Sequence, residues 1–192
     1  MELKLSEKPV KMKKMKHKNL FLLPPVLVFL CFLIIPWGIA QNLWKVVMVT
    51  DGDTVWVKRE GERKIKIRVW GIDTPEKYLS GKLQREAARC RVSVKEMRKF
   101  GILASRHAEK LFAEKGNAVR IEFRGRGYYG RHLGILYFTD GTDFGKRMIS
   151  DGYACVYRKN TLKSYIQAQS LAEKNRKGLW KINYRLMKCL CK

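Results

Sequence analysis

The sequence predicts an α+β domain, mainly β, built as a five-stranded barrel with about three packed helices and preceded by an N-terminal hydrophobic segment. Stretches with strand or helix periodicity occur in the order three strands, helix, two strands, helix, helix. The 192 residues suffice for one domain with extensions, and 46% hydrophobic residues suffice for a packed core. Strands that form a meander and then close around a helix are typical of the OB-fold.

The first three strands are predicted at residues 44–50, 53–59 and 63–70. In the third, branched apolar residues alternate with basic ones, so Arg68 lies on the face opposite the core. Pro75 ends this region, because proline restricts the residue before it and cannot pair in a ladder.

The second half of the chain predicts the remaining helices and strands. Residues 77–100 are polar, basic and weakly patterned, and they predict a long loop with room for one helical turn at 84–91. The further elements are a helix, two strands and two helices, at 102–114, 118–123, 132–138, 144–151 and 162–177. The domain is expected over 44–182, followed by a basic C-terminal tail over 183–192.

The charge of the chain favours a polyanionic partner. The formal net charge is +24, of which residues 1–19 carry only +5 from seven Lys and two Glu. Nucleic acid and an anionic membrane surface are the two partners that such a surplus suits.

Cysteine spacing argues against a zinc site, because the five cysteines include no Cys-x-x-Cys pair and no histidine lies at zinc spacing. Outside the cytoplasm one or two disulfides could form, but their pairing cannot be read from the sequence.

The N-terminus predicts export. Residues 1–19 are basic, and residues 20–40 contain no charge. This is typical of a membrane anchor with its N-terminus inside, and equally of a cleaved signal peptide. Either alternative places the domain outside the cytoplasm, secreted or membrane-anchored.

Acidic residues cluster in two places of this basic chain. Asp51 and Asp53 precede the second strand, and Asp73 and Glu76 follow the third. If these strands are neighbours, the four carboxylates converge at one end of the pair. Hard cations such as Ca²⁺ prefer oxygen ligands of this kind, so the pattern predicts a metal ion beside a phosphate.

Arg68 and Arg131 supply the complementary charge, because guanidinium groups fork onto phosphate oxygens. Carboxylates, a metal and two arginines suit phosphodiester hydrolysis. The cations stabilise charge in the transition state, and a third acid handles the proton of the attacking water.

The order and spacing of four motifs resemble the signature of the thermonuclease (staphylococcal nuclease-like) family. The motifs are Asp51-Gly52-Asp53-Thr54-Val55, Ile67-Arg68, Asp73-Thr74-Pro75-Glu76 and Tyr129-Gly130-Arg131. The resemblance covers residues 46–180. It implies an OB-fold and a Ca²⁺-dependent endonuclease that cleaves DNA and RNA with little sequence preference and leaves 3′-phosphates.

The resemblance also implies a metal site. Asp53 and Asp73 would bind Ca²⁺ through their carboxylates and Thr74 through its carbonyl oxygen, while Asp51 would support them from behind.

Catalytic and substrate-binding roles follow from the same resemblance. Glu76 would be the general base, Arg68 would bind the phosphate, and Arg131 would orient the leaving 5′ oxygen. Tyr129 and Tyr157 would contact the nucleotide. The segment 77–100 is longer than in one well-known member, so it either reshapes access to the site or binds substrate through its Lys and Arg residues.

The expected partners are DNA and RNA, with single strands preferred, and the membrane if the N-terminal segment is retained. No protein partner is predicted, and a monomer is expected. One alternative is a non-catalytic OB-fold nucleic-acid-binding protein anchored at the membrane. A second is a membrane-anchored structural protein that uses its basic surface. Neither explains the acidic cluster, which would repel a phosphate unless a cation intervened.

Overall fold

A closed five-stranded barrel forms the centre of the protein in the computed structural model, which describes residues 43–127, 130–159 and 162–192. The strands of the chain are β1 (Leu43–Asp51), β2 (Thr54–Lys58), β3 (Ile65–Val69), β4 (Ile72–Asp73), β5 (Ala118–Arg126), β6 (His132–Phe138) and β7 (Cys155–Val156). The barrel order is β1-β2-β3-β6-β5, and β1 closes it by pairing with β5. All barrel pairs are antiparallel except β3–β6, which is parallel.

Six helices are described outside the barrel: α1 (Gly81–Cys90), α2 (Val94–Glu114), α3 (Phe144–Ser150), α4 (Lys163–Lys174), α5 (Leu179–Ile182) and α6 (Tyr184–Leu190). The mixed α+β class and the five-stranded barrel confirm the predicted fold. About three helices were predicted. Of the additional ones, α1 lies in the predicted loop, α6 in the predicted tail, and α5 between the last predicted helix and that tail.

The barrel interior is filled by the apolar face that strand alternation predicts. Val55 and Val57 of β2 and Ile67 of β3 are completely buried. Phe112 of α2 stacks on Phe144 of α3, with ring centroids 4.4 Å apart, and extends this core beyond the barrel.

The prediction of a long loop over 77–100 is wrong. The segment contains α1 and the start of α2, and each helix begins at a serine whose hydroxyl accepts a backbone hydrogen bond. Ser80 accepts from Leu83 and Ser93 from Glu96, each at 3.1 Å. The apolar positions of α1 are few, but Leu83 and Ala87 lie four residues apart on one face and both are buried. Numerous charges around them concealed this periodicity.

A second core cluster joins α1, α2 and the C-terminal helices. Leu186 and Met187 of α6 are buried in it with Trp180, so most of the predicted basic tail 183–192 belongs to the folded structure. Two disulfides hold α6 in place. Cys90–Cys189 links it to the end of α1, and Cys155–Cys191 links the residue after it to β7.

The predicted hydrophobic segment 20–40 and the basic residues 1–19 lie outside the described residues. Among the helices that are described, none has the length and apolar character needed to cross a membrane.

Candidate active site

The strand register brings the two acidic stretches to the same end of the barrel. Thr54, at the start of β2, pairs with Arg68 of β3. The amide of Val69 donates to the carbonyl oxygen of Asp53 at 2.8 Å, which fixes Asp53 beside the end of β3. Strand β4 follows after a two-residue turn and ends at Asp73. Asp53 and Asp73 are therefore brought together at that end of the barrel, close enough for one arginine, Arg68, to contact both.

Asp53 is the buried centre of the cluster, with 1% of its surface exposed. One carboxylate oxygen accepts from the amide and hydroxyl of Thr74, at 2.9 and 3.1 Å. The other accepts from the Thr54 hydroxyl at 3.0 Å and from the Arg68 guanidinium. Burial alone would raise the pKa of Asp53, but the Arg68 charge and these hydrogen bonds hold it below its ordinary value. Asp53 is thus ionised at neutral pH.

Arg68 bridges the two acidic stretches. Its Nη1 contacts Asp53, and its Nη2 lies 2.6 Å from Oδ1 of Asp73. The guanidinium retains N–H donors beyond these contacts, and 18% of the side chain is exposed. A phosphate at the open side can therefore receive hydrogen bonds from an arginine that the carboxylates already orient.

Lys82 of α1 is a site residue that the sequence analysis missed. Its Nζ lies 3.1 Å from Oδ1 of Asp73, 2.9 Å from Oε1 of Glu76 and 3.9 Å from Oε1 of Glu86. Partial burial would lower the pKa of Lys82, but Asp73 and Glu76 raise it above its usual range. Recognition of Ser80 as a helix cap would have placed Lys82 and Glu86 one turn apart on the same helix face.

Two further carboxylates lack full compensation. The Asp51 carboxylate accepts from the amide of Asp53 at 3.2 Å, and burial, with the Asp53 charge beside it, raises its pKa to about 7. Burial likewise raises the pKa of Glu86, whose Oε2 is enclosed without a hydrogen-bond partner among the described residues. Burial therefore disfavours the ionised form of both carboxyl groups.

The acidic side chains are bridged by cationic side chains rather than converged on one point. In the part of the chain that the structure describes, no three His, Cys, Asp or Glu residues are placed to hold a metal ion together. The donor set nevertheless fits Ca²⁺ in kind, because it offers hard carboxylate oxygens. A divalent cation at Asp73 would share that carboxylate with Lys82, and it would offset the Asp53 charge, which together with burial raises the pKa of Asp51.

Two other predicted site residues, Arg131 and Tyr157, follow or precede strands of the same region. Arg131 immediately precedes β6, whose first residue, His132, pairs with Ile67 of β3. The amide of Tyr157 donates to the Gly71 carbonyl at 2.9 Å, which places this half-exposed residue beside β4. Tyr129 lies outside the described residues.

A basic groove adjoins Asp73. It has a volume of about 430 Å³ and lies between α1 and the residues that follow β7. Six cationic side chains line it, contributed by Lys82, Arg85, Arg89, Arg158, Lys159 and Lys192. Tyr157 forms part of the same wall. Charge and shape therefore continue from the carboxylate cluster along the surface in one direction.

Comparison with known proteins gives the same assignment as the motifs. Residues 66–182 match the family model of the staphylococcal nuclease homologues. An uncharacterized protein of Methanocaldococcus jannaschii is 32% identical over 146 residues, which span 71% of this chain and 70% of that protein. An uncharacterized endonuclease of Haemophilus influenzae is 28% identical, over 74% of this chain and 68% of the relative.

The endonuclease YhcR of Bacillus subtilis is 27% identical over 72% of this chain, a match confined to 11% of that larger protein. The family model covers more than half of the chain and includes Arg68, Asp73, Glu76 and Arg131. The chain therefore belongs to the staphylococcal nuclease family, as its ordered motifs predict, and is a nuclease of that family.

Proposed function

We propose that this protein is a Ca²⁺-dependent, largely sequence-nonspecific endonuclease that hydrolyses phosphodiester bonds of DNA and RNA, prefers single strands and acts as a monomer. The observation that carries the proposal is the bridge that Arg68 forms between Asp53 and Asp73, with Glu76 held through Lys82 at the same open end of the barrel. This arrangement combines acids that attract a metal with an oriented guanidinium that attracts a phosphate.

Asp53 and Asp73, with the carbonyl oxygen of Thr74, are the proposed ligands of Ca²⁺, and Asp51 supports them. When bound, Ca²⁺ would neutralise charge on the phosphate oxygens and favour attack by water. Asp53 suits the role because it is ionised and rigidly held, whereas Asp73 is partly exposed and accessible from the groove.

Arg68 binds a non-bridging phosphate oxygen and stabilises the charge that grows on it. Glu76 accepts a proton as a water oxygen bonds to phosphorus, and the bond from phosphorus to the 5′ oxygen breaks. Arg131 stabilises that leaving oxygen, which takes up a proton from the solvent, so the products carry a 3′-phosphate and a 5′-hydroxyl. Tyr129 and Tyr157 contact the nucleotide. The Lys82 ammonium lies 2.9 Å from the Glu76 carboxylate, so this ion pair must break before Glu76 accepts the proton.

The disulfides support a location outside the cytoplasm. Cys90–Cys189 and Cys155–Cys191 would persist in an oxidising compartment and are rare in cytosolic proteins. We accordingly propose that residues 1–40 direct export, as a signal peptide or as an anchor. The mass of the mature protein distinguishes the two, and a cytosolic protein with free thiols would contradict both.

A non-catalytic nucleic-acid-binding protein anchored at the membrane is the second candidate, and the basic groove with the net charge of +24 favours it. Binding alone, however, leaves the carboxylate cluster without a purpose.

The deciding experiment measures cleavage of labelled single-stranded DNA by the purified protein. We expect cleavage with Ca²⁺, arrest by a chelator, and fragments whose mobility changes after phosphatase treatment. Glu76→Gln should lower the rate by about 10²- to 10⁴-fold, because the general base is lost. Glu60→Gln removes an exposed carboxylate from a turn outside the site and serves as the matched control. Groove-dependent binding without any cleavage would favour the second candidate, and unchanged cleavage by Glu76→Gln would refute the role of Glu76.

A further inference from the structure

We infer that the basic groove is an extended binding site for the phosphates of a single polynucleotide strand beyond the bond that is cut. The inference rests on the proposed function for its catalytic consequence, but the binding itself can be tested without catalysis. It assigns a substrate length as well as a substrate class, because the groove continues away from Asp73 along the surface.

One wall of the groove is a row of cations on α1. Lys82, Arg85 and Arg89 occur at spacings of three and four residues, so they share one face of the helix. The row extends over about 10 Å at the rise of ~1.5 Å per helical residue. The row is therefore long enough to contact more than one phosphate of a strand.

These charges are accessible to a ligand. Arg85 and Arg89 are exposed, and within the described ranges neither forms an ion pair with a carboxylate. Two carboxylates, those of Asp73 and Glu86, also line the groove, and both lie near Lys82. Their negative charge is smaller than the positive charge of the six cationic side chains that line it. The groove is therefore positive where it is furthest from the carboxylate cluster.

The opposite wall adds cations and an aromatic ring. Arg158 and Lys159 follow Tyr157, which is 37% exposed and lines the same groove as Asp73. An exposed ring in a cationic groove suits an unpaired base that stacks while its backbone follows the cations. Bases in a duplex are already stacked and paired, so this combination favours a single strand.

Both walls are covalently joined to the same element. Cys90 lies at the end of α1, directly after Arg89, and Cys155 lies in the opposite wall. Their disulfide partners are Cys189, in α6, and Cys191, the residue that follows α6. Helix α6 thus holds the two walls at a set separation. We therefore assign to the C-terminal segment the role of shaping the groove.

Binding of fluorescein-labelled oligothymidylate of about 12 nucleotides to the full-length protein tests the inference, with a chelator present to prevent cleavage. The test variant is Arg85→Ala/Arg89→Ala. The matched control is Lys95→Ala/Lys99→Ala, which removes the same charge at the same four-residue spacing from an exposed face of α2 outside the groove. Circular dichroism and non-reducing mass spectrometry establish that each variant is folded and has both disulfides.

The salt dependence of the affinity is the main readout, because each lost phosphate contact on a single strand lowers the slope of log K against log salt by about 0.7. Because the groove variant lacks two arginines, we expect the magnitude of its slope to be about 1.4 smaller than that of the unmodified protein. The slope of the control variant should decrease by less than half of that amount. Equal slopes in the two variants, or no measurable binding by the unmodified protein, would overturn the inference.

Cleavage then separates this inference from the proposed function. With Ca²⁺, the groove variant should cut the long oligonucleotide more slowly but cut a dinucleotide at the unmodified rate. If the groove variant binds more weakly but neither it nor the unmodified protein cleaves, the proposed function is refuted and the role of the groove in binding is retained. If the groove variant cleaves long substrates at the normal rate, the role of the groove is refuted and the proposed function is retained.

Discussion

Replacement of Lys82 should increase the affinity of the site for Ca²⁺. The Lys82 ammonium contacts Asp73 and Glu76 at 3.1 and 2.9 Å, so it competes with any other cation for the Asp73 carboxylate. Lys82→Gln removes this competitor and its repulsion of a divalent ion, while it retains a polar side chain of similar length. The expected direction is therefore tighter binding of Ca²⁺ in the variant.

The size of the effect follows from the distances and the exposure. Two unit charges ~3 Å apart interact by about 1.4 kcal/mol in water and by several times more inside a protein. The Lys82 side chain is 36% exposed, so the solvent screens it and the lower end of this range applies. About 1.4 kcal/mol corresponds to a tenfold change in Kd.

Isothermal titration of Ca²⁺ into the full-length protein, without nucleic acid, measures the change directly. Lys95→Gln is the control, since it removes an exposed lysine of α2 and should leave the Kd for Ca²⁺ unchanged. Unchanged or weaker binding by Lys82→Gln would refute the reasoning, and weaker binding would mean that Lys82 orders the metal ligands rather than competing for them.

Two further predictions concern stability. Burial would raise the pKa of Asp151, but hydrogen bonds from His107 at 2.9 Å and Arg147 at 2.7 Å hold it below its ordinary value. A depressed carboxylate pKa contributes stability above the unfolded pKa of about 3.9 and loses it as the pH falls through the folded value. Urea unfolding near neutral pH should therefore show Asp151→Asn to be about 1–3 kcal/mol less stable than the unmodified protein. This difference in the free energy of unfolding should shrink as the pH falls below about 4. A difference that stays constant with pH would contradict the prediction. Leu186→Ala should cost about 2–5 kcal/mol by the same measurement, because the side chain is fully enclosed in the second core. A cost below that of Leu79→Ala, which truncates an exposed leucine, would mean that α6 adds nothing to the fold.

The barrel was predictable because its strands alternate and end at recognisable turns. Val55 and Val57 lie on one face of β2, and that pattern is independent of the rest of the chain. Helix α1 was not predicted because only Leu83 and Ala87 are fully buried, and the pattern of a short helix with two such positions differs little from that of a polar loop. Its capping serine was the available signal. Tertiary packing and a disulfide stabilise a helix whose own periodicity is weak.

The candidate site was predictable only in part, for a different reason. A family resemblance identifies the residues that its members share, so it gave Asp53, Asp73 and Arg68. It could not give Lys82 and Glu86, which lie in α1, where no shared motif was found. Nor could it show that Arg68 already contacts two carboxylates before any phosphate arrives, since that depends on the pairing of Thr54 with Arg68 across two strands.

The balance of charge at the site indicates an order of binding. Four carboxylates, those of Asp51, Asp53, Asp73 and Glu76, lie at this end of the barrel, and the two cations among them, Arg68 and Lys82, leave an excess of negative charge. Burial, with the Asp53 charge, raises the pKa of Asp51. A phosphate approaching this end would be repelled, whereas a divalent cation would be attracted and would neutralise the excess. Metal binding therefore favours the later arrival of the phosphate. The basic groove attracts the strand throughout, so the polymer can be held nearby by its other phosphates until the carboxylates are neutralised.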